Sequence, residues 1–190
     1  MKALEERIRK DGRVLPGNIL NVNTFLNHQI DAPFMMEMGE EVARLFKEDK
    51  PTKILTIEAS GIAIGFAVAA VMKLPLIFAK KNKSSNVDSD VYCSSVHSYT
   101  HNKDYTAVIS KEILSADDRV LIVDDFLANG CALRGLIEIV EQSGATVVGC
   151  ATAVEKGYQG GGDSLRRDGV KVESLAIVES MSEEEIIFRV

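Results

Sequence analysis

The stretch "VLIVDDFLANGCALRG", residues 120–135, decides the fold. Val120, Leu121, Ile122 and Val123 run straight into two adjacent carboxylates, Asp124 and Asp125. A turn ending in Asn129 and Gly130 follows, and then a helical pattern beginning at Cys131. A short apolar run bounded by turn signals reads as a buried strand. Open α/β sheets hold their ligands beyond the carboxyl ends of such strands. Aspartate often caps a helix, but one cap accounts for one Asp. Two carboxylates at a strand end can accept hydrogen bonds from a vicinal diol, or support a metal carried by the substrate. The small residues Ala128, Asn129, Gly130, Cys131 and Ala132 let backbone N–H groups close around a phosphate, and the helix dipole favours the anion. Diol acceptors followed by a phosphate cradle describe a ribose 5-phosphate site. No GK[ST] follows, so this is not a Walker loop.

On either side of this stretch the chain alternates. Lys53–Ile57 reads as a strand, Gly61–Lys73 as a helix and Leu74–Ala79 as a strand. Beyond Arg119–Val123 come a helix at Cys131–Gln142, a strand at Ala145–Val154, a helix at Asp163–Arg167 and a strand at Val170–Ile177. Repeated strand–helix–strand units predict an α/β fold, with a central, mostly parallel sheet flanked by helices. Ahead of this pattern, residues 2–10 read as a helix, Gly12 to Asn18 as a break, and Ile19–Phe25 as a short strand. Pro33 opens a helix carrying Phe34, Met38, Val42 and Leu45 at helical spacing. Residues 82–111 are polar and Ser-rich and predict a hairpin between Tyr92 and Ile109. Such an insertion suits a lid, and equally a plain surface hairpin.

The chain has 190 residues, enough for one domain with a full core. Its net charge of −6 argues against a nucleic-acid reader. Cys93, Cys131 and Cys150 are widely spaced and form no CxxC pair, which suits reduced thiols. The charged N-terminus lacks an apolar signal core, and Gly61–Met72, the longest apolar stretch, is too short to span a bilayer. These features predict a cytoplasmic protein. Cys93, His97 and His101 are spaced four apart, but their β-branched, aromatic surroundings favour a strand, which spreads them too widely for one zinc ion.

"VLIVDDFLANG" resembles the phosphoribosyl pyrophosphate (PRPP) signature of the type I phosphoribosyltransferases. "ILNVNTFLNHQID" (19–31), "TIEASGIAIGFAVA" (56–69), "FAKKNKS" (78–84) and "AVEKGYQGG" (153–161) narrow the resemblance to the bacterial xanthine phosphoribosyltransferases, in order along nearly the whole chain. The resemblance implies one phosphoribosyltransferase domain over residues 1–190. Residues 1–32 would form a small hood for the base, and residues 82–104 a lid. It implies transfer of the phosphoribosyl group of PRPP to xanthine, giving xanthosine 5′-monophosphate (XMP) and diphosphate. Mg2+ would be held mainly by PRPP with no direct protein ligand, and the protein would be a homodimer.

The resemblance also implies residue roles. Asp124 and Asp125 would form the catalytic ribose clamp, and Ala128 to Ala132 would hold the 5-phosphate. Ala59, Ser60, Lys80 and Lys81, with Lys83, would face the diphosphate. Taken alone, Ser60 is an ordinary helix cap and the lysines a solvated turn. Leu20, Asn27 and Lys156 would read the base, Lys156 donating to a purine carbonyl and Asn27 offering both donor and acceptor. Taken alone, Lys156 would snorkel to solvent. Phe126 can cover a ring face or belong to the core. The hypoxanthine-guanine branch has a general-base aspartate at the position of Ala128. Its absence leaves no clear base, with Glu155 a weak candidate. The rival readings are transfer to hypoxanthine, guanine or adenine, and a non-catalytic PRPP-sensing regulator. The dimer contacts would be the apolar face of the Pro33 helix or the "AKKNK" region.

Overall fold

In the computed structural model, described for residues 1–82, 90–98 and 103–189, ten strands and five α-helices alternate along the chain. Helix α1 (Lys2–Asp11) leads into a small hairpin, β1 (Arg13–Leu15) with β2 (Ile19–Asn21), and then α2 (Ala32–Leu45). The sheet-forming part runs β3 (Lys53–Ile57), α3 (Gly61–Met72), β4 (Leu76–Asn82), β5 (Val91–Ser98), β6 (Lys103–Ser110), β7 (Arg119–Leu127), α4 (Cys131–Gln142), β8 (Thr146–Lys156), α5 (Gly161–Arg167), β9 (Val172–Met181) and β10 (Ile186–Phe188).

One sheet of eight strands has the order β10-β9-β8-β7-β3-β4-β6-β5. Strands β9, β8, β7, β3 and β4 are parallel. Antiparallel β10 borders one side and the β5–β6 hairpin the other. Strand alternation divides the core between the two faces. Leu121, Val123, Ala151 and Ala153 meet α1, α2 and α3, while Val120, Ile122 and Cys150 meet α4. Asp31 caps α2, its carboxylate accepting from the Phe34 N–H at 3.3 Å. Arg7 donates to the same carboxylate at 2.9 Å, and its guanidinium lies over the Phe25 and Phe34 rings. That contact pins the N-terminal hood to α2. No helix among the described residues is long and apolar enough to cross a membrane.

The sequence expectations need amending in several places. The strand expected over Ile19–Phe25 stops at Asn21, whose side chain accepts from the Asn23 N–H at 3.0 Å. This draws the backbone out of the ladder and into a wide turn over Asn23–Asn27. Strand β7 runs on to Leu127, because β8 runs beside it to Glu155, so both aspartates lie inside the strand. Strand β4 begins after Pro75 and takes in Lys80 and Lys81, which therefore point to opposite faces. The apolar face of α2 is buried at Phe34, Met35, Met38 and Val42, so it is not available as a dimer contact. Lys83, His101 and the segments 83–89 and 99–102 of the expected lid lie outside the described residues.

Candidate active site

A cleft of about 560 Å3 opens at the carboxyl edge of the parallel strands. One wall is the stretch from Asp125 through Leu127 to the first turn of α4, and it includes Ala128, Asn129, Gly130, Cys131 and Ala132. Gly130 precedes the helix with a φ of 86°, and the Asn129 side chain accepts from the Cys131 N–H at 3.3 Å. N–H groups in a first helical turn have no partner within the helix, so the loop presents donors to an anion.

The back of this loop is held by a stretch whose role the sequence reading missed. The Gly161 N–H donates to the Ala128 carbonyl at 3.2 Å. A Cβ at Gly161 would stand 2.3 Å from that carbonyl oxygen and 2.6 Å from the Gly130 nitrogen. A Cβ at Gly162 would stand 2.1 Å from Glu155 Oε1. The consecutive glycines in "YQGGG" were the available signal, because only glycine fits so close to another backbone. Glu155 itself is fully buried. It accepts a two-point contact from Arg166 at 2.9 and 2.7 Å and a further bond from the Ser174 hydroxyl. It does not line the cleft, so it is not the missing base.

Asp125 is on the cleft wall and Asp124 is behind it. Asp124 is 5% exposed and accepts from the Asp125 N–H at 3.0 Å. Burial, followed by the neighbouring Asp125 carboxylate, raises its pKa well above the ordinary carboxylate range. The start of α3 rests on it: a Cβ at Gly61 would stand 2.6 Å from Asp124 Oδ1 and 2.2 Å from Thr56 Oγ1.

Lys80 and Lys81 are both exposed; Ser60 and Lys81 line the cleft, while Ala59 and Lys80 do not. The Glu58 carboxylate accepts from the Lys81 N–H at 2.6 Å, joining the ends of β3 and β4, and the Glu58–Ala59 peptide is cis.

The hood supplies the opposite wall, with Leu20 and Asn27 and also Leu15, Ile19, Asn21 and Asn23, which the sequence reading did not single out. Lys156, the last residue of β8, lines the cleft with its ammonium 5.7 Å from the centre of the Phe126 ring. Burial lowers its pKa, and no carboxylate pairs with it among the described residues. Asn27 Oδ1 is buried without a hydrogen-bond partner among the described residues. The cleft therefore carries an uncompensated cation, an unpaired acceptor and an anion cradle.

Among the described residues no group of three or more His, Cys, Asp or Glu side chains is placed to hold a metal ion. Asp125 is the carboxylate on the cleft wall. A Mg2+ ion bound through substrate phosphates needs only one or two protein carboxylates, so this donor set fits one that arrives with its substrate. A second groove of about 700 Å3 lies between Arg9, Arg13 and the segment from Ser182 to Phe188, and it shares Leu15 with the cleft.

Two adjacent carboxylates near the end of a parallel strand, an anion-binding loop opening a helix and a hood over the sheet edge are together the outline of a phosphoribosyl-transferring fold. The model of the phosphoribosyl transferase domain matches residues 27–181, and the chain belongs to that family. It is 52% identical to the xanthine phosphoribosyltransferase of Lachnoclostridium phytofermentans, covering 100% of this chain and 98% of that protein. It is 54% identical to the xanthine phosphoribosyltransferase of Bifidobacterium adolescentis, covering 97% of this chain and 96% of that one. Among solved structures, the adenine phosphoribosyltransferase of Thermoanaerobacter pseudethanolicus superposes with a TM-score of 0.75 at 23% identity, covering 92% of this chain and 98% of that one. The Trypanosoma brucei enzyme, in complex with AMP, pyrophosphate and ribose-5-phosphate, superposes with a TM-score of 0.77 at 17% identity, covering 95% of this chain and 82% of that one. At those identities the likeness shows the fold.

Proposed function

We propose that this chain transfers the 5-phosphoribosyl group of PRPP to xanthine, forming XMP and releasing diphosphate. The observation that carries the choice of base is that Lys156 and Asn27 both line the cleft. A lysine with no counter-charge suits a purine carbonyl, and an unpaired acceptor suits a ring N–H. Xanthine offers both groups and ionises readily. Adenine would present an amino donor to the ammonium. The full-length identity to xanthine phosphoribosyltransferases supports the same reading.

In this reading Asp125, backed by Asp124, accepts from the ribose hydroxyls, and the Ala128–Ala132 loop holds the 5-phosphate. Ser60 and Lys81 face the diphosphate. The bond from the anomeric carbon to the diphosphate oxygen breaks with its electron pair leaving on diphosphate, and a bond from that carbon to a purine ring nitrogen forms, the ring proton of xanthine passing to water. The anomeric centre becomes cationic as the leaving group gains charge, so a fixed ammonium near the diphosphate lowers the barrier. Mg2+ bound with PRPP would neutralise part of the diphosphate charge. The segment 82–104 would act as the lid that keeps water from capturing the ribosyl group. Residues 1–32 form the hood of a single domain in this reading, and the enzyme works in the cytoplasm as a homodimer.

The test is turnover with PRPP and Mg2+ with xanthine, guanine, hypoxanthine and adenine as competing acceptors. Preference for xanthine that is lost in Lys156→Ala or Asn27→Ala is the expected result. Preference for another purine would overturn the base assignment. PRPP binding without turnover on any base would favour a regulator.

A further inference from the structure

The edge hairpin places in the cleft a residue that no motif announces. Tyr105 on β6 is the cross-strand partner of Val96, and both side chains join the cluster beneath α4. Lys81 pairs with Ala107, two residues along β6 from Tyr105, so Lys81 and Tyr105 share a face of the sheet. Both line the cleft, and the Lys81 ammonium lies 5.1 Å from the centre of the Tyr105 ring. Lys81 has no ion-pair partner, and the Tyr105 hydroxyl no hydrogen-bond partner, among the described residues.

The strands carrying Tyr105 are firmly seated. The Gln142 side chain on α4 accepts from the Cys93 N–H at 3.2 Å and donates to the Cys93 carbonyl at 2.7 Å. Ser94 donates to Glu138 at 2.6 Å. Tyr105 is thus delivered to the cleft by a hairpin base docked on the same helix whose first turn belongs to the phosphate loop. A lysine loses many rotamers on being fixed, and an aromatic face beneath its ammonium favours those that keep it there.

We propose that Tyr105 is a positioning residue for the transfer step, its ring holding the Lys81 ammonium in the cleft where the diphosphate departs. The inference rests on the phosphoribosyltransferase reading and adds a residue outside every stretch that marks the family. Burial, then the nearby Asp124 and Cys131, pushes the phenol up to about 12, so the ring stays neutral at any working pH. The contact is made by the ring face, not by the hydroxyl.

The experiment compares steady-state kinetics of the full chain with Tyr105→Leu, Tyr105→Phe, Lys81→Met and the double variant Tyr105→Leu/Lys81→Met, using PRPP, Mg2+ and xanthine. Tyr105→Leu is expected to lower kcat/KM for PRPP by about two- to fivefold, the range of a cation–ring contact made by an exposed lysine. KM for xanthine should be little changed. Tyr105→Phe is expected to recover most of that loss. In the Lys81→Met background, Tyr105→Leu is expected to change kcat/KM by less than about twofold, since the two residues act through one contact. Undiminished activity in Tyr105→Leu would overturn the proposal. So would an equal loss in Tyr105→Phe, or a full additional loss in the Lys81→Met background. Circular dichroism checks that the variants fold, and Tyr105→Met serves the same comparison if the leucine variant does not. A wild-type protein inactive on every purine would defeat the transferase reading itself, which none of the variant comparisons can do.

Discussion

Asp124 and Asp125 share a backbone and differ in surroundings. Asp124 is sealed beneath α3, and burial disfavours its charged form. Its folded pKa therefore lies above the unfolded value, and between the two the native state binds more protons. Stability contributed at this site is present below the ordinary carboxylate pKa and is lost as pH rises through that value toward the raised one. Asp124→Asn, which keeps the shape of the neutral acid, should thus raise the melting temperature at pH 7.5 relative to the parent, with the gain shrinking toward pH 4. A thermal-melt series across that range checks the sign. Asp125→Asn, altered on the cleft wall itself, removes the neighbouring charge and should raise melting at pH 7.5 less than Asp124→Asn does, while cutting kcat/KM for PRPP by about a hundredfold or more.

At the level of elements, β8 and the loop after it support the phosphate loop from behind. Arg166 holds the buried Glu155, Gly162 lies against Glu155, and Gly161 grips Ala128. Arg166→Met removes the counter-charge of a carboxylate with 1% side-chain exposure. Leaving such a group unpaired costs about 3 to 5 kcal/mol, so denaturant unfolding should report a loss of that order. KM for PRPP should rise with it, because the loop loses its backing. Much of this level was legible in the sequence. The apolar runs of β3, β7 and β8 and the periodic helices between them were long enough to read. The strands β1 and β10 were not, since each spans three residues and gains its order from a neighbour. Lys80 and Lys81 illustrate a second limit: their spacing suggested a basic turn, and only the ladder with β6 assigned them to opposite faces. Tyr105 carried no local signal, because its place in the cleft depends on hairpin register.

For the whole molecule, two phenylalanines stand exposed, one on α3 and one on β4. Phe66 on α3 is 63% exposed and Phe78 on β4 is 41% exposed. Phe78 is two residues from Lys80, on the same side of its strand. A dimer contact made through them, in the "AKKNK" region expected from the sequence, would bury both rings and carry Lys80 toward a second copy. Phe66→Asp is accordingly expected to convert a dimer to a monomer in light scattering at matched concentration. A parent that scatters as a monomer would remove the dimer from the reading.

The grip of Gly161 on Ala128 has one more consequence. Lys156, proposed to meet the base, and the loop proposed to hold the phosphate are joined through a few residues of chain anchored at both ends. The site therefore works as a caliper whose span is set by backbone, while its jaws are side chains. In the proposed reading, exchanging Asn27 or Lys156 would reset which base is held and leave the span alone. An inserted residue between Lys156 and Gly161 would alter the span itself, and every nucleotide product would then fit poorly, whatever its base.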